Sequence, residues 1–306
     1  MTSATVRVPA KINLCLGVGP VRPDGFHPLA TVYQAVDLHD EVRATFRDDG
    51  QITVSVHAQM DAYAESVVVP ENDENLAVRA ARAVQDFTGV TDGVDLAIRK
   101  VIPVAGGMAG GSADAAAALL ACNEVWGTRL SRADLDQIAA TIGSDVPFLL
   151  HGGTAVGGGR GEMVSPVLAR GGYHWVFATA VHGLSTASVF AEFDRLTEGQ
   201  QVRDPEVPDA LMAALRAGDA DALGDHLSND LTEAALSLRP ELTDTLEIGL
   251  EAGALGAILS GSGPTAMFLA EDEQHSLDIS IALSSAASCA DVIQSRGPVP
   301  GARLVG

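Results

Sequence analysis

Four glycines fall within six residues, at Gly106, Gly107, Gly110 and Gly111, between a strand-like run and an alanine-rich stretch. Val94 to Ile98 alternates with period two, as a half-buried strand does. Ser112 to Trp126 is strongly helix-forming, and Ser112 is a suitable N-cap residue. Glycine clears side chains from backbone that must approach a ligand and permits positive φ. The helix that follows turns unpaired N–H groups and a positive dipole end toward the loop, which favours phosphate. The segment is not a Walker A loop, because Ser112 stands where that motif needs lysine. A tight strand–helix turn with close packing is the purely structural alternative.

Charge sharpens the requirement. The 306 residues carry 40 acidic and 19 basic side chains, a formal net charge of −21. Such a field opposes nucleic acid and anionic lipid, so neither is an expected partner. It also opposes a nucleotide, so a phosphate site must create its own local positive potential. Only Lys11 and Lys100 are lysines among the basic residues. Biased codon supply explains the arginine excess but not the persistence of lysine at these two positions. A compact ammonium acts in a tight site where a planar guanidinium does not fit.

The length suits two domains. Cys15, Cys122 and Cys289 are odd in number and far apart, with no disulfide or metal-ligand spacing. Nothing in Met1 to Pro9 suggests export, and the apolar run Val104 to Cys122 is too interrupted to span a bilayer. A cytoplasmic location is expected. Strand patterns occupy 5–16, 32–42, 52–56 and 94–98, with a helix over 74–87 ending near Gly89. Ser131 to Asp134 resembles a capping box opening a helix to Ile142. Glycines crowd 152–172, where a domain transition is expected, giving domains 1–165 and 166–306. The second half shows strands near 174–179, 257–259 and 266–269. Its helices fall near 208–216, 220–226, 240–252 and 273–285, an α+β sandwich pattern.

Asp145, in Gly143-Ser-Asp-Val-Pro-Phe148, could accept a proton from a substrate hydroxyl or cap the following turn. Lys11, in Pro9-Ala-Lys-Ile-Asn-Leu14, could snorkel to solvent or stand beside Asp145 and stabilise a developing alkoxide. Asp24-Gly-Phe-His27 is a turn carrying an aromatic ring and an imidazole. Ser260-Gly-Ser-Gly263 is a donor-rich turn that serves equally as a hairpin connection.

Together these segments resemble the GHMP kinases. Pro103-Val104-Ala105-Gly106-Gly107-Met108-Ala109-Gly110-Gly111-Ser112-Ala113 is similar to their central phosphate loop. The segments at 9–14, 24–27, 143–148 and 260–263 resemble one branch, whose substrate is a cytidyl diphosphate of a methylated erythritol. The matches run in the family's order from residue 9 to about 264. The resemblance implies an α+β, two-domain fold, with an N-terminal ribosomal-protein-S5-like domain and a C-terminal ferredoxin-like α/β sandwich. It implies transfer of the ATP γ-phosphoryl group, with Mg²⁺, to the 2-hydroxyl of that sugar alcohol, in the non-mevalonate route to isoprenoid precursors. Lys11 and Asp145 match the catalytic pair. Residues 103–113, Lys100 and Asn75 match nucleotide-side positions; Asn13, Phe26 and His27 match substrate-side positions, with His27 on the cytosine edge and Phe26 on its face. Two departures stand out. Phe26 replaces a tyrosine, and Ala105 and Ala109 stand where the family commonly has glycine. Another GHMP kinase, of homoserine or mevalonate type, and a catalytically silent nucleotide-binding module are the rival readings. Metal ligands and oligomeric state are left open.

Overall fold

The computed structural model describes residues 3–58, 69–286 and 289–305. Two long strands, β1 (Ser3–Val18) and β2 (Leu29–Arg47), lead to β3 (Ile52–Ala58). Helix α1 (Leu76–Thr88) is capped by Asn75, whose side chain accepts from the Ala77 N–H, and ends at Gly89 in the left-handed region. Strand β4 (Gly93–Lys100) feeds the glycine loop, and α2 (Gly110–Val125) leaves it. Helix α2 is buried on nearly every side, so its alanines let neighbouring elements approach closely around it. Helix α3 (Arg132–Ile142) starts with the expected capping box, in which Ser131 and Asp134 satisfy each other's backbone N–H groups. Then follow the short helix α4 (Val146–His151) and the hairpin β5 (Thr154–Gly158) and β6 (Met163–Pro166).

The second half contains β7 (Tyr173–Ala180), α5 (Thr186–Leu196), α6 (Asp209–Ala217), α7 (Ala220–Gly224) and β8 (Ser228–Asn229). It continues with α8 (Thr232–Leu238), α9 (Glu241–Glu251), β9 (Gly256–Leu259), β10 (Ala266–Ala270) and α10 (Glu273–Leu283). Strands β11 (Cys289–Gly297) and β12 (Arg303–Val305) complete it.

Two sheets organise these elements. The first has the path β12-β1-β2-β4-β3, with β5 and β6 attached through β2 and β8 through β1. The second is antiparallel, in the order β11-β7-β10-β9. This is the expected α+β architecture, with one mixed sheet, one antiparallel sheet and covering helices. The final segment returns as an edge strand on β1, with Thr5 opposite Val305. The glycine-rich stretch 152–172 is more structured than a linker, because β5 and β6 within it extend the first sheet.

Several elements escaped the periodicity. Helices α4, α5 and α8 and strand β11 are short or only partly apolar. Ser112 is not the N-cap. Helix α2 begins two residues earlier, and Ala109 (φ 58°, ψ 35°) takes the cap position with no side-chain cap bond. The small residues of the loop let the chain turn directly into the helix. Ala105 and Ala109, which replace expected glycines, keep the left-handed conformation (φ 54° and 58°). Each therefore bears roughly 1–2 kcal/mol of local strain. Among the described residues no helix is long and apolar enough to cross a membrane.

Candidate active site

In β1 the even positions Val6, Val8, Ala10, Ile12 and Leu14 are fully buried in the core. Period two therefore sends Lys11 and Asn13 to the opposite face. Register shifts after Pro9 and after Asn13 bracket this pair, and such bulges re-aim side chains. The Lys11 ammonium donates to Asn13 Oδ1 at 2.7 Å. Asn13 Nδ2 in turn donates to Thr31 Oγ1, which donates to the Cys15 carbonyl. The ammonium is thus held by a buried relay rather than snorkelling.

Asp145 stands at the N-cap position of α4 yet makes no side-chain cap bond. Its Oδ2 lies 3.8 Å from Lys11 Nζ. The pair meets the glycine loop directly, because the Lys11 N–H donates to the Met108 carbonyl at 3.3 Å. From the second sheet's side, the turn at 260–263 closes over both. Ser260 Oγ donates to the Gly107 carbonyl at 3.2 Å. A Cβ on Gly261 would lie 3.2 Å from Lys11 Nζ, and one on Gly107 (φ 79°) would lie 2.0 Å from the Ser260 carbonyl. The glycines therefore permit contact between the two turns as well as approach of a ligand.

A cavity of about 900 Å³ runs through this junction. Lys11, Asn13, Asp145, Phe26 and His27 line it together with most of the loop, namely Pro103, Ala105, Gly106, Gly107, Ala109, Gly110, Gly111 and Ser112. Other sequence candidates stand apart from it. Met108 and Ala113 are fully buried in the core, and Val104 does not line the cavity. Asn75 caps α1 and donates to the Pro70 carbonyl, leaving its neighbour Leu76 to reach the cavity.

Lys100 is the clearest departure from expectation. It is buried beneath the loop, where a Cβ on Gly110 would lie 2.8 Å from its Nζ. The ammonium donates to Asp40 Oδ2 and, at 2.8 Å, to Asp114 Oδ2. Asp40 Oδ1 also accepts from the Val101 and Ile102 N–H groups at 2.6 and 2.8 Å. Burial lowers the affinity of Lys100 for its proton, but Asp114 and Asp40 outweigh it and the pKa rises. Burial pushes Asp114 up to about 8, with Asp40 adding to the rise and Lys100 offsetting part of it. Lys100 therefore ties β2, β4 and α2 together under the loop, since two carboxylates claim its donors. Asp114 faces this ammonium and does not line the cavity.

On another side of the cavity His27 is buried, and its Nδ1–H donates to the Gly19 carbonyl at 2.7 Å. Its ring stacks on Phe190 at 5.2 Å, and Nε2 faces Asp194 at 3.4 Å. Phe26 is half-exposed, with the Arg160 guanidinium 3.8 Å from its ring centroid. Arg160 also bonds Asp24 at 3.1 Å. Tyr33, Phe190, Arg160 and Asp194 all line the cavity, and the sequence reading named none of them. The signal for Phe190 was present: Ser185 followed by Val189 and Phe193 is a capped, amphipathic pattern.

Comparison with known proteins agrees with this geometry. Residues 75–153 match the model of the GHMP kinases N terminal domain, and residues 211–288 match that of the GHMP kinases C terminal domain. Fold and site thus define a GHMP kinase. A Thermobifida fusca protein named 4-diphosphocytidyl-2-C-methyl-D-erythritol kinase is 53% identical over 99% of both chains. A Streptomyces coelicolor protein of the same name is 52% identical, also over 99% of both. A crystal structure of 4-(cytidine 5'-diphospho)-2C-methyl-D-erythritol kinase superposes with a TM-score of 0.75 at 29% identity, covering 98% of this chain and 99% of that one. Homoserine kinase from Cytophaga hutchinsonii superposes as well, with a TM-score of 0.76 over 100% and 98%, but at 17% identity it shares the fold alone. The chain belongs to the 4-diphosphocytidyl-2-C-methyl-D-erythritol kinase family.

Proposed function

We propose that this chain transfers the γ-phosphoryl group of ATP to the 2-hydroxyl of 4-diphosphocytidyl-2-C-methyl-D-erythritol, giving the 2-phosphate and ADP. The observation that carries the mechanism is the Lys11–Asp145 pair, 3.8 Å apart in the cavity that the glycine loop also lines. Asp145 accepts the proton of the 2-hydroxyl as its oxygen attacks the γ-phosphorus and the bond to the β-phosphate oxygen breaks. Lys11 steadies the negative charge growing on the attacking oxygen. The backbone N–H groups at the start of α2 receive the phosphates, so an acidic chain binds an anion through dipoles. Catalysis in this reaction class is mainly positioning and charge stabilisation.

Among the described residues no three His, Cys, Asp or Glu side chains cluster to hold a metal ion. Mg²⁺ commonly binds through nucleotide phosphates and few protein oxygens, and the Ser112 hydroxyl is one oxygen that the cavity wall offers. Ser112 would help hold such an ion, which would neutralise phosphate charge there. Cytosine would lie between the Phe26 and Phe190 sides of the cavity, with His27 at its edge. On this reading residues 1–165 bring the loop and the reacting pair, and residues 166–306 bring α5 and the 260–263 turn.

The test is ADP release with this substrate beside homoserine, mevalonate and galactose. Turnover of the cytidyl compound alone is expected, and selective turnover of homoserine would overturn the assignment. Asp145→Asn is expected to keep nucleotide binding and lose about 10²- to 10⁴-fold in turnover, the range of a general base.

A further inference from the structure

Among the described residues, Lys11 and Arg160 are the lysine and arginine side chains on the cavity wall. Arg160 lies in the turn between β5 and β6. That turn is tied to the start of β2, where the Leu29 N–H donates to the Gly159 carbonyl at 2.8 Å. The hairpin also sits closely on Tyr33 of β2. A Cβ on Gly157 would lie 2.5 Å from that ring, and one on Gly161 (φ 109°) would lie 2.3 Å from its hydroxyl oxygen. The Arg160 N–H donates to Glu162 Oε2 at 2.6 Å. The guanidinium is thereby delivered to one place, 3.8 Å from the centroid of the Phe26 ring.

Asp24 couples this guanidinium to the turn that carries Phe26. Its Oδ1 accepts from the Phe26 N–H at 3.1 Å, and its Oδ2 accepts from Arg160 Nη2, also at 3.1 Å. Arg22, in the same turn, has its Nε 3.6 Å from Oδ1, and its N–H donates to the Phe26 carbonyl at 2.8 Å. The Phe26 N–H, with the Arg22 and Arg160 charges, holds the Asp24 carboxyl below the usual carboxylate range. Both of its bonds are therefore charge-assisted. Phe26 is half-exposed and its side chain has no polar atom with which to fix the ring. A planar guanidinium over one face attracts such a ring and leaves the opposite face for a second ring.

We propose that Asp24 and Arg160 are positioning residues for the acceptor substrate: Asp24 clasps the 22–26 turn to the β5–β6 turn, and the Arg160 guanidinium braces one face of Phe26 so that the other receives the base. This rests on the reading of the cytidyl compound as the acceptor. Asp24 acts through Arg160, and Arg160 acts through the Phe26 ring. The clasp joins two turns of the first sheet's lobe, so the bracing is set before any ligand arrives and reaches neither the glycine loop nor the Lys11–Asp145 pair.

The experiment uses Arg160→Met, Asp24→Asn and the double variant in the full chain. Both KM values are measured, with inhibition by cytidine, which carries the base but no phosphate, and thermal melting alongside. Asparagine keeps the acceptor for the Phe26 N–H and removes the carboxylate from Arg160. For Arg160→Met the cytidine inhibition constant and the acceptor KM should rise together by about fivefold, the combined scale of an exposed cation–π contact and ion pair. Asp24→Asn should raise both by about twofold, and the double variant should match Arg160→Met, because the two residues act in series. The KM for ATP and the melting temperature should stay at the parent's values. An acceptor KM that rises while cytidine inhibits as before would place Arg160 on the diphosphate and overturn the proposal. Tighter cytidine inhibition in Arg160→Met would overturn it too, since the guanidinium would then cover the face that the base needs. Unchanged constants in all three variants would do the same. Failure of the underlying reading looks different: the unmodified chain would then release no ADP with the cytidyl substrate.

Discussion

Replacing Lys100 with methionine tests the buried cluster beneath the glycine loop. The substitution keeps the unbranched stem and removes the ammonium shared by Asp40 and Asp114. Breaking a buried ion pair from one side costs about 3–5 kcal/mol. The lower end applies near pH 7, because Asp40 retains two backbone donors and Asp114, with its pKa near 8, already holds a proton over much of that range. The cost then grows with pH. The parent releases the Asp114 proton above about 8, whereas the variant, lacking the cation, keeps it. Each further pH unit therefore adds up to about 1.4 kcal/mol to the difference. Urea unfolding at pH 7 and pH 9, followed by fluorescence of the fully buried Trp175, reads both numbers. A loss below about 1 kcal/mol at both pH values would refute the reasoning, since a buried pair costs several times that to break.

Two further outcomes follow from the same region. The folded-state pKa of Asp114 stands above its ordinary value of 3.8, so its stabilising contribution is complete below that value and is lost as pH rises through about 8. Asp114→Asn keeps an acceptor for Lys100 and removes the titration, so its stability relative to the parent should rise between pH 5 and pH 9; parallel curves would exclude this assignment. Gly107→Ala places a Cβ 2.0 Å from the Ser260 carbonyl at positive φ, whereas Gly111→Ala meets only Leu76 Cδ1 at 3.5 Å. The first should lower the melting temperature and raise the KM for ATP about tenfold or more, the second should melt like the parent, and equal melting for both would contradict the close approach.

Features governed by near neighbours were legible in the sequence. The Ser131–Asp134 capping box and the Gly89 stop are decided within one turn of helix, and both stand as read. The close backbone approach at the glycine loop was legible because four glycines in six residues clear side chains from the chain's path. Lys11 and Asp145 each admitted a bland role, since the separation of two side chains from remote segments is a property of the packed fold alone. Lys100 was misread for the same reason. Its position next to the loop suits a phosphate ligand equally well, and only Asp40, from a different strand, decides that the ammonium turns beneath the loop. Tyr33 sat inside a regular strand pattern, and the glycines that make room for it lie far along the chain. Phe190 fell in a capped, amphipathic helix whose pattern was present in the sequence, but its place on the cavity depends on how that helix packs.

The strand at 303–305 has a consequence for how the molecule is made. The first sheet draws on residues 3–166 but also on 228–229, which follow β7 of the second sheet, and on 303–305, which follow every strand of the second sheet. During synthesis the edge of β1 at residues 5–7 stays open until residues 303–305 leave the ribosome and return to it. The lobe begun first is thus among the last to be finished, and an unpaired strand edge waits through most of translation for its cover.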